Sequence, residues 1–109
     1  MASNVIDGPA ELATVLDDIA AERRRQDAKW GEQNHPDGTG DGFAADATQA
    51  RKECEHAASI GELSWRHILL EEVAEAVAEA DPDDLRRELI QVAAVATAWA
   101  QAIDRRADE

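Results

Sequence analysis

Apolar residues recur every three or four positions along most of the chain, and no stretch alternates apolar and polar residues as a strand would. The spacing of Leu12, Leu16 and Ile19 is one example. A period near 3.6 residues gives a helix one apolar face, whereas a period of two gives one to a strand. The pattern therefore predicts an all-α fold. With 109 residues, the chain is long enough to bury a core without disulfide bonds.

Helix caps, glycines and prolines divide this pattern into four predicted helices. Ser64 is suited to cap the third helix, and the "DPDD" segment at 81–84 caps and starts the fourth. The glycine-rich segment 31–42 has no apolar side chain and is predicted to be a long loop, either mobile or functional. The predicted helices cover residues 9–28, 43–57, 65–80 and 82–106.

These helices are expected to form one domain, a four-helix bundle over residues 9–106, with short tails at 1–8 and 107–109. The fourth helix is uncharged on all sides from 89 to 100. One small bundle would struggle to cover that much apolar surface. We therefore expect the bundle to assemble into a homodimer or a homotetramer.

Charge, hydropathy and cysteine content restrict the partners and the location. A net charge of −13 repels a phosphate backbone, so no nucleic acid is expected as a partner. The longest uncharged apolar run, 89–100, is shorter than the roughly 18 residues that cross a membrane, so no membrane partner is expected. Cys54 is the single cysteine and is interpreted as a small core residue. Without a disulfide or a signal-peptide pattern, the expected location is cytoplasmic.

Two glutamates interrupt the apolar faces. On a helical wheel, Glu72 lies between Ile68 and Trp65 on the third helix, and Glu88 lies within the apolar arc of the fourth. The short turn between these helices makes them antiparallel neighbours, so the two carboxylates can face each other. Buried carboxylates lose hydration and repel one another, and they need arginines, protons or divalent cations as partners. The arginines that directly precede Glu88 point away from it.

Further glutamates widen this acidic region. Glu71, Glu75 and Glu79 form one strip with Glu72 on the predicted third helix. Acidic helix faces are often only solvated, and this interpretation stays open for Glu71 and Glu79. If the strip binds a metal, its oxygen ligands favour hard ions such as Mg²⁺ or Mn²⁺.

The acidic residues are also spaced as in a known enzyme family. "EEVAE" at 71–75 and "ELIQ" at 88–91 resemble the EExxE, spacer, ExxD signature of the MazG-like all-α nucleoside triphosphate pyrophosphohydrolases. "RRRQDAKWGEQNHPDGTG" at 23–40 is similar to the first helix and following loop of small actinobacterial and phage MazG-like proteins. The resemblance covers residues from about 20 to 106.

The resemblance implies a bundle that forms dimers or tetramers and uses Mg²⁺ to cleave the α–β phosphate bond of a nucleoside triphosphate. The products are a nucleoside monophosphate and pyrophosphate. By this resemblance, Glu72, Glu75 and Glu88 are metal ligands. Glu71 and Glu72 are the catalytic residues, with Glu71 as a further ligand or as the base that orients water. Gln91 replaces the aspartate of ExxD, and its amide oxygen can bind a metal but brings no negative charge.

The resemblance also implies that Lys29 and Trp30 contact the phosphates and the base of the substrate. The alternative is that Trp30 is a core residue and Lys29 a surface charge. His56 and His67 lack a partner at zinc spacing and are assigned no metal role. Gln91 leaves a second function open, a nucleotide-binding or helical oligomerisation module that is catalytically weakened, and a purely structural bundle is a third interpretation.

Overall fold

The structure is a computed structural model that describes residues 3–107, with side chains described from residue 10 onward. This part of the chain is helical and contains no strand, which confirms the all-α prediction. The α-helices are α1 (Ser3–Trp30), α2 (Ala44–Ser59), α3 (Trp65–Val77) and α4 (Pro82–Ala107), and a 3-10 helix, Asp41–Phe43, precedes α2. No helix among the described residues is long and apolar enough to span a membrane.

Two predicted caps position the helices that carry the acidic residues. The Oγ atom of Ser64 accepts a hydrogen bond from the backbone N–H of His67 at 3.3 Å, which starts α3. The carboxylate of Asp81 accepts hydrogen bonds from the backbone N–H groups of Asp83 and Asp84, each at 3.0 Å. These bonds satisfy amides that the first turn of a helix leaves without a partner. The start of α3 and the start of α4 are therefore determined locally.

Two helix boundaries differ from the prediction by three residues or more, and the others agree within two residues. α1 begins at Ser3, so the described part of the predicted tail 1–8 is helical, while residues 1–2 and 108–109 lie outside the described residues. α3 ends at Val77 instead of residue 80. The ring of Pro82 disfavours helical backbone at the preceding residue, and the chain has to reverse before it reaches α4. Glu79 therefore lies beyond α3 and does not extend its acidic strip.

Backbone contacts divide the chain into two compact units. One unit is Asp37–Ala96, which contains α2, α3 and the first part of α4. The described residues on either side of it, with α1 and the rest of α4, form the other unit. All the acidic residues of interest belong to the Asp37–Ala96 unit. The prediction of one domain over 9–106 stays a prediction, because α4 contributes residues to both units.

The buried apolar side chains of the Asp37–Ala96 unit are two alanines and one leucine, Leu85 at the start of α4. α2 and α3 pack against each other, and each buries an alanine, Ala57 and Ala76 respectively. Among the described residues no large side chain is fully buried. Leu89 and Ile90 on α4 are 51% and 55% exposed. The chain by itself therefore leaves a large part of its apolar surface in contact with solvent.

Candidate metal centre

α3 and α4 bring three glutamates together. Glu72 and Glu75 lie one turn apart on α3, and Glu88 lies in the second turn of α4. Each offers one carboxylate oxygen, and these oxygens all lie within 4.8 Å of one another. We call these three residues the acidic cluster. All three side chains are half-buried, so the cluster lies at the edge of the unit rather than deep inside it.

Two oxygens of the acidic cluster lack the hydrogen bonds that buried polar atoms usually have. One oxygen of Glu72 and one of Glu88 are buried, although the rest of each side chain is partly exposed. Neither oxygen has a hydrogen-bond partner among the described residues. A buried polar atom without a partner carries the full cost of its lost hydration. These two atoms are therefore suited to accept a proton or to bind a cation.

The electrostatic environment of Glu72 also makes its carboxylate suited to accept a proton or to bind a cation. Burial raises the pKa of its carboxyl group above the ordinary value, because the charged form loses hydration. The negative charges of Glu75, Glu88 and Glu71 raise this pKa further, in that order. The ion-free site therefore disfavours the charged form of Glu72 relative to water, and a bound cation would act in the opposite direction.

The nearest arginines in the sequence do not neutralise Glu88. Arg87 instead forms an ion pair of 2.5 Å with Asp84, one turn earlier on α4. The side chains of both residues are exposed to solvent, so this ion pair contributes little to the stability of the fold. Arg86 is exposed. The expectation that these arginines point away from Glu88 agrees with this arrangement.

Glu71 has a neighbour on α2 that the sequence did not indicate. Burial raises the pKa of the Cys54 thiol, and the charge of Glu71, together with hydrogen bonding to its carboxylate, raises it further. Glu71 is half-buried and lies close enough to the acidic cluster to raise the pKa of Glu72. Cys54 is itself only half-buried, and it lies against a carboxylate as well as the apolar interior. α2 therefore contributes to the surroundings of Glu71.

The other predicted site residues are exposed. Gln91 lies one turn beyond Glu88 on α4, and its side chain is in contact with solvent. Lys29 and Trp30 belong to the other compact unit, at the end of α1. The ammonium group of Lys29 lies 4.8 Å from the centre of the Trp30 ring. Trp30 is 57% exposed, so it is not a core residue.

A polar groove adjoins the end of α1. The guanidinium group of Arg23 binds the side chains of Gln26 at 2.8 Å and Asp27 at 3.0 Å. The groove therefore contains both hydrogen-bond donors and hydrogen-bond acceptors. Its lining residues are Arg23, Gln26, Asp27, Gly31, Glu32 and Gln33.

Comparison with known proteins finds no matching family model, no similar curated protein and no similar solved structure. The resemblance to MazG-like enzymes therefore depends on the motifs alone.

The geometry of the acidic cluster can be compared with the geometry that a divalent ion requires. Mg²⁺ binds oxygen at about 2.1 Å, so two oxygens on opposite sides of one ion are about 4 Å apart. Adjacent ligands of one octahedral ion are closer, about 3 Å apart, so the three carboxylates, whose oxygens lie within 4.8 Å of one another, would have to move toward each other to hold one ion.

The ligand type also selects the class of ion. The acidic cluster offers carboxylate oxygens and no cysteine or histidine ligand. Hard ions such as Mg²⁺ and Mn²⁺ prefer such oxygens, whereas zinc prefers sites with cysteine or histidine. The residues present therefore fit Mg²⁺ or Mn²⁺.

One role of His67 was missed in the sequence. Its ring accepts a hydrogen bond from the backbone N–H of Ser64, which completes a capping box at the start of α3. The spacing of Ser64 and His67 is that of a capping box, whose third residue is usually Glu or Gln. A histidine three residues after Ser64 is therefore the sequence signal from which this contact could be predicted.

Proposed function

We propose that this protein is a Mg²⁺-dependent nucleoside triphosphate pyrophosphohydrolase of the MazG-like type, with Mn²⁺ as an alternative ion. The acidic cluster supports this proposal, because two of its buried oxygens lack partners and all three of its carboxylates converge. The order and spacing of 71–75 and 88–91 support it independently. The substrate class comes from the resemblance of these segments to the family signature.

In the proposed site, Glu72, Glu75 and Glu88 hold the divalent ion. Such an ion would neutralise part of the phosphate charge and would lower the pKa of a water molecule bound to it. Glu71 is proposed to orient the attacking water and to accept its proton. Water then adds across the bond between the α- and β-phosphates, that bond breaks, and pyrophosphate leaves. Glu71 lies near the acidic cluster but is not one of its three members, so the carboxylate of Glu71 is available for this step.

Lys29 and Trp30 are proposed to bind the substrate through one cation and one exposed aromatic ring. A lysine ammonium group suits phosphate, and a tryptophan ring suits stacking on a base.

The exposed side chains of Leu89 and Ile90 support a further part of the proposal, a four-helix bundle that assembles as a homodimer or homotetramer. Association of copies through α4 would remove such apolar surface from water.

One observation favours a second candidate function. Gln91 stands where the family signature has an aspartate, and its exposed amide brings no charge to the site. A site with one charge fewer binds a divalent ion less tightly. The alternative is therefore a nucleotide-binding module that retains the ion and the nucleotide but lacks turnover.

Pyrophosphate release distinguishes these functions. The protein would be incubated with a panel of ribo- and deoxyribonucleoside triphosphates and Mg²⁺ or Mn²⁺. The proposal predicts pyrophosphate and a nucleoside monophosphate, with loss of release in Glu72→Gln and Glu88→Gln. Glu53→Gln changes an exposed carboxylate on α2 and is the matched control, with release expected to remain. Nucleotide binding without release would select the second function.

A further inference from the structure

The carbonyl groups at the end of α3 receive hydrogen bonds from two sources. The N–H groups of Ala78 and Glu79 donate to carbonyls within α3, at 3.1 Å each. The carbonyl of Val77, the last residue of α3, instead accepts a hydrogen bond of 2.9 Å from the N–H of Gly40. The last turn of a helix leaves its carbonyls without partners in the helix. The glycine-rich segment 31–42 therefore supplies a donor that α3 itself lacks.

The backbone at Gly40 has a conformation that glycine alone adopts readily. Its φ is 147° and its ψ is −172°, a region in which a residue with a Cβ atom is strained. An added Cβ would meet no neighbouring atom within 4 Å, so the backbone conformation, and not a lack of space, requires glycine. The Gly40 carbonyl accepts a hydrogen bond of 3.0 Å from the N–H of Phe43, at the 3-10 helix before α2. One residue thus bonds to α3 through its amide and to the 3-10 helix through its carbonyl.

Glu75 is the member of the acidic cluster that depends most on this end of α3. It lies two residues before Val77, whereas Glu72 lies one turn further into the helix. Helix ends fray, so loss of the last turn would displace Glu75 first. Oxygens of Glu75, Glu72 and Glu88 lie within 4.8 Å of one another. Like charges at this spacing repel, which favours departure of Glu75 from the cluster in the ion-free protein.

We propose that Gly40 is a positioning residue for the acidic cluster, because its amide attaches the last turn of α3, and Glu75 with it, to the glycine-rich segment. The hydrogen bonds of Ala78 and Glu79 remain within the end of α3 and do not connect it to another part of the unit. The bond of Gly40 makes that connection. The position of Glu75 in the ion-free protein follows from this bond, whereas its effect on a bound ion rests on the proposed function.

A double-mutant cycle in EDTA tests whether Gly40 acts on Glu75. Glu75→Gln removes a repelling charge and is expected to raise the melting temperature. In a Gly40→Ala protein Glu75 is already displaced, so most of this increase is expected to be lost. Gly38→Ala is the matched control, since Gly38 also has a positive φ, 73°, but donates no backbone hydrogen bond to α3 among the described residues. The full increase is expected to remain in that variant.

Three results would overturn the proposal. Additive effects of Gly40→Ala and Glu75→Gln would show that packing of the buried Ala76 holds the turn by itself. No increase in Glu75→Gln alone would show that Glu75 is not held against repulsion. The third result needs no variant, because the Gly40 amide of the unaltered protein is expected to exchange about tenfold more slowly than an amide in an unfolded chain. An unprotected Gly40 amide would overturn the proposal.

Titration calorimetry with Mg²⁺ measures the effect of Gly40 on the ion. Loss of a residue that orients a metal ligand weakens binding, so Gly40→Ala is expected to raise the Kd for Mg²⁺ about tenfold. Gly38→Ala is expected to leave the Kd unchanged, and equal Kd values in the two variants would overturn the proposal. Absence of Mg²⁺ binding to the unaltered protein would contradict the proposed function, and the cycle in EDTA would still decide whether Gly40 positions Glu75.

Discussion

Glu72 on α3 and Glu88 on α4 bring carboxylate oxygens within 4.8 Å of each other. Each of these residues also has a buried oxygen that no hydrogen-bond donor of the described chain reaches. Two such charges repel each other and lose hydration, so the ion-free protein bears a cost that a proton or a cation would remove. The account therefore predicts opposite effects of these carboxylates on stability in the absence and presence of a divalent ion.

Glu72→Gln and Glu88→Gln are expected to raise the melting temperature in EDTA, or at least not to lower it, because each removes a repelling charge. Both changes are expected to abolish stabilisation by Mg²⁺. In the unaltered protein, an ion at about 100 times its Kd would stabilise the fold by about 2.7 kcal/mol. Thermal unfolding with and without Mg²⁺ measures this, with Glu53→Gln as the exposed control. Strong destabilisation of both variants in both conditions would identify the two glutamates as structural partners of other side chains.

The raised pKa of Glu72 predicts the direction of a pH effect. A carboxyl group whose pKa is higher in the folded state stabilises the fold when it is protonated. This contribution is complete below the unfolded pKa, about 4.3 for glutamate, and is lost as the pH rises through the higher folded value. Urea unfolding in EDTA across this range is expected to show that loss. The difference between the unaltered protein and Glu72→Gln isolates it, and a pH-independent difference would contradict it.

Gln91→Asp is expected to complete the acidic signature and to act in the opposite sense to the glutamine variants. It adds a charge one turn beyond Glu88, so it is expected to lower the melting temperature in EDTA. It is also expected to enlarge the Mg²⁺ shift and any pyrophosphate release. Gln49→Asp adds the same charge at an exposed position on α2 and serves as the control. Equal responses of the two variants to Mg²⁺ would show that position 91 does not contribute to the site.

The exposed apolar side chains of α4 predict self-association. Sedimentation at micromolar concentration is expected to show a dimer or a larger species. Leu89→Glu places a charge on a side chain that is 51% exposed in the single chain, and it is expected to shift the protein toward monomer. Gln49→Glu adds the same charge on α2 and is expected to leave the assembly intact. A monomer in the unaltered protein would contradict this prediction.

The acidic cluster could be predicted because it depends on local geometry. The wheel positions of Glu72 and Glu88 follow from 100° per residue, and the short turn before Pro82 makes their helices neighbours. The prediction that Glu79 belongs to the same strip is wrong, because α3 ends at Val77, where the chain begins to turn toward α4. Helix boundaries are determined by such competition between helix and turn, which periodicity does not reveal.

The contact between Cys54 and Glu71 could not be predicted in the same way. It depends on the register between α2 and α3, and the small residues that bring these helices together are compatible with several registers. The cap formed by His67 was predictable in principle, because residue spacing alone determines a capping box. The exposed state of Trp30 is different again, since an aromatic residue beside a loop is equally compatible with burial and with solvent exposure.

Titration calorimetry of the metal-free protein with Mg²⁺, repeated with Mn²⁺, tests the central claim that the acidic cluster holds a divalent cation. The account predicts saturable binding to the unaltered protein and to Glu53→Gln, and loss of that binding in Glu72→Gln and Glu88→Gln. Absence of saturable binding to the unaltered protein, or equal affinity in all four proteins, would contradict it.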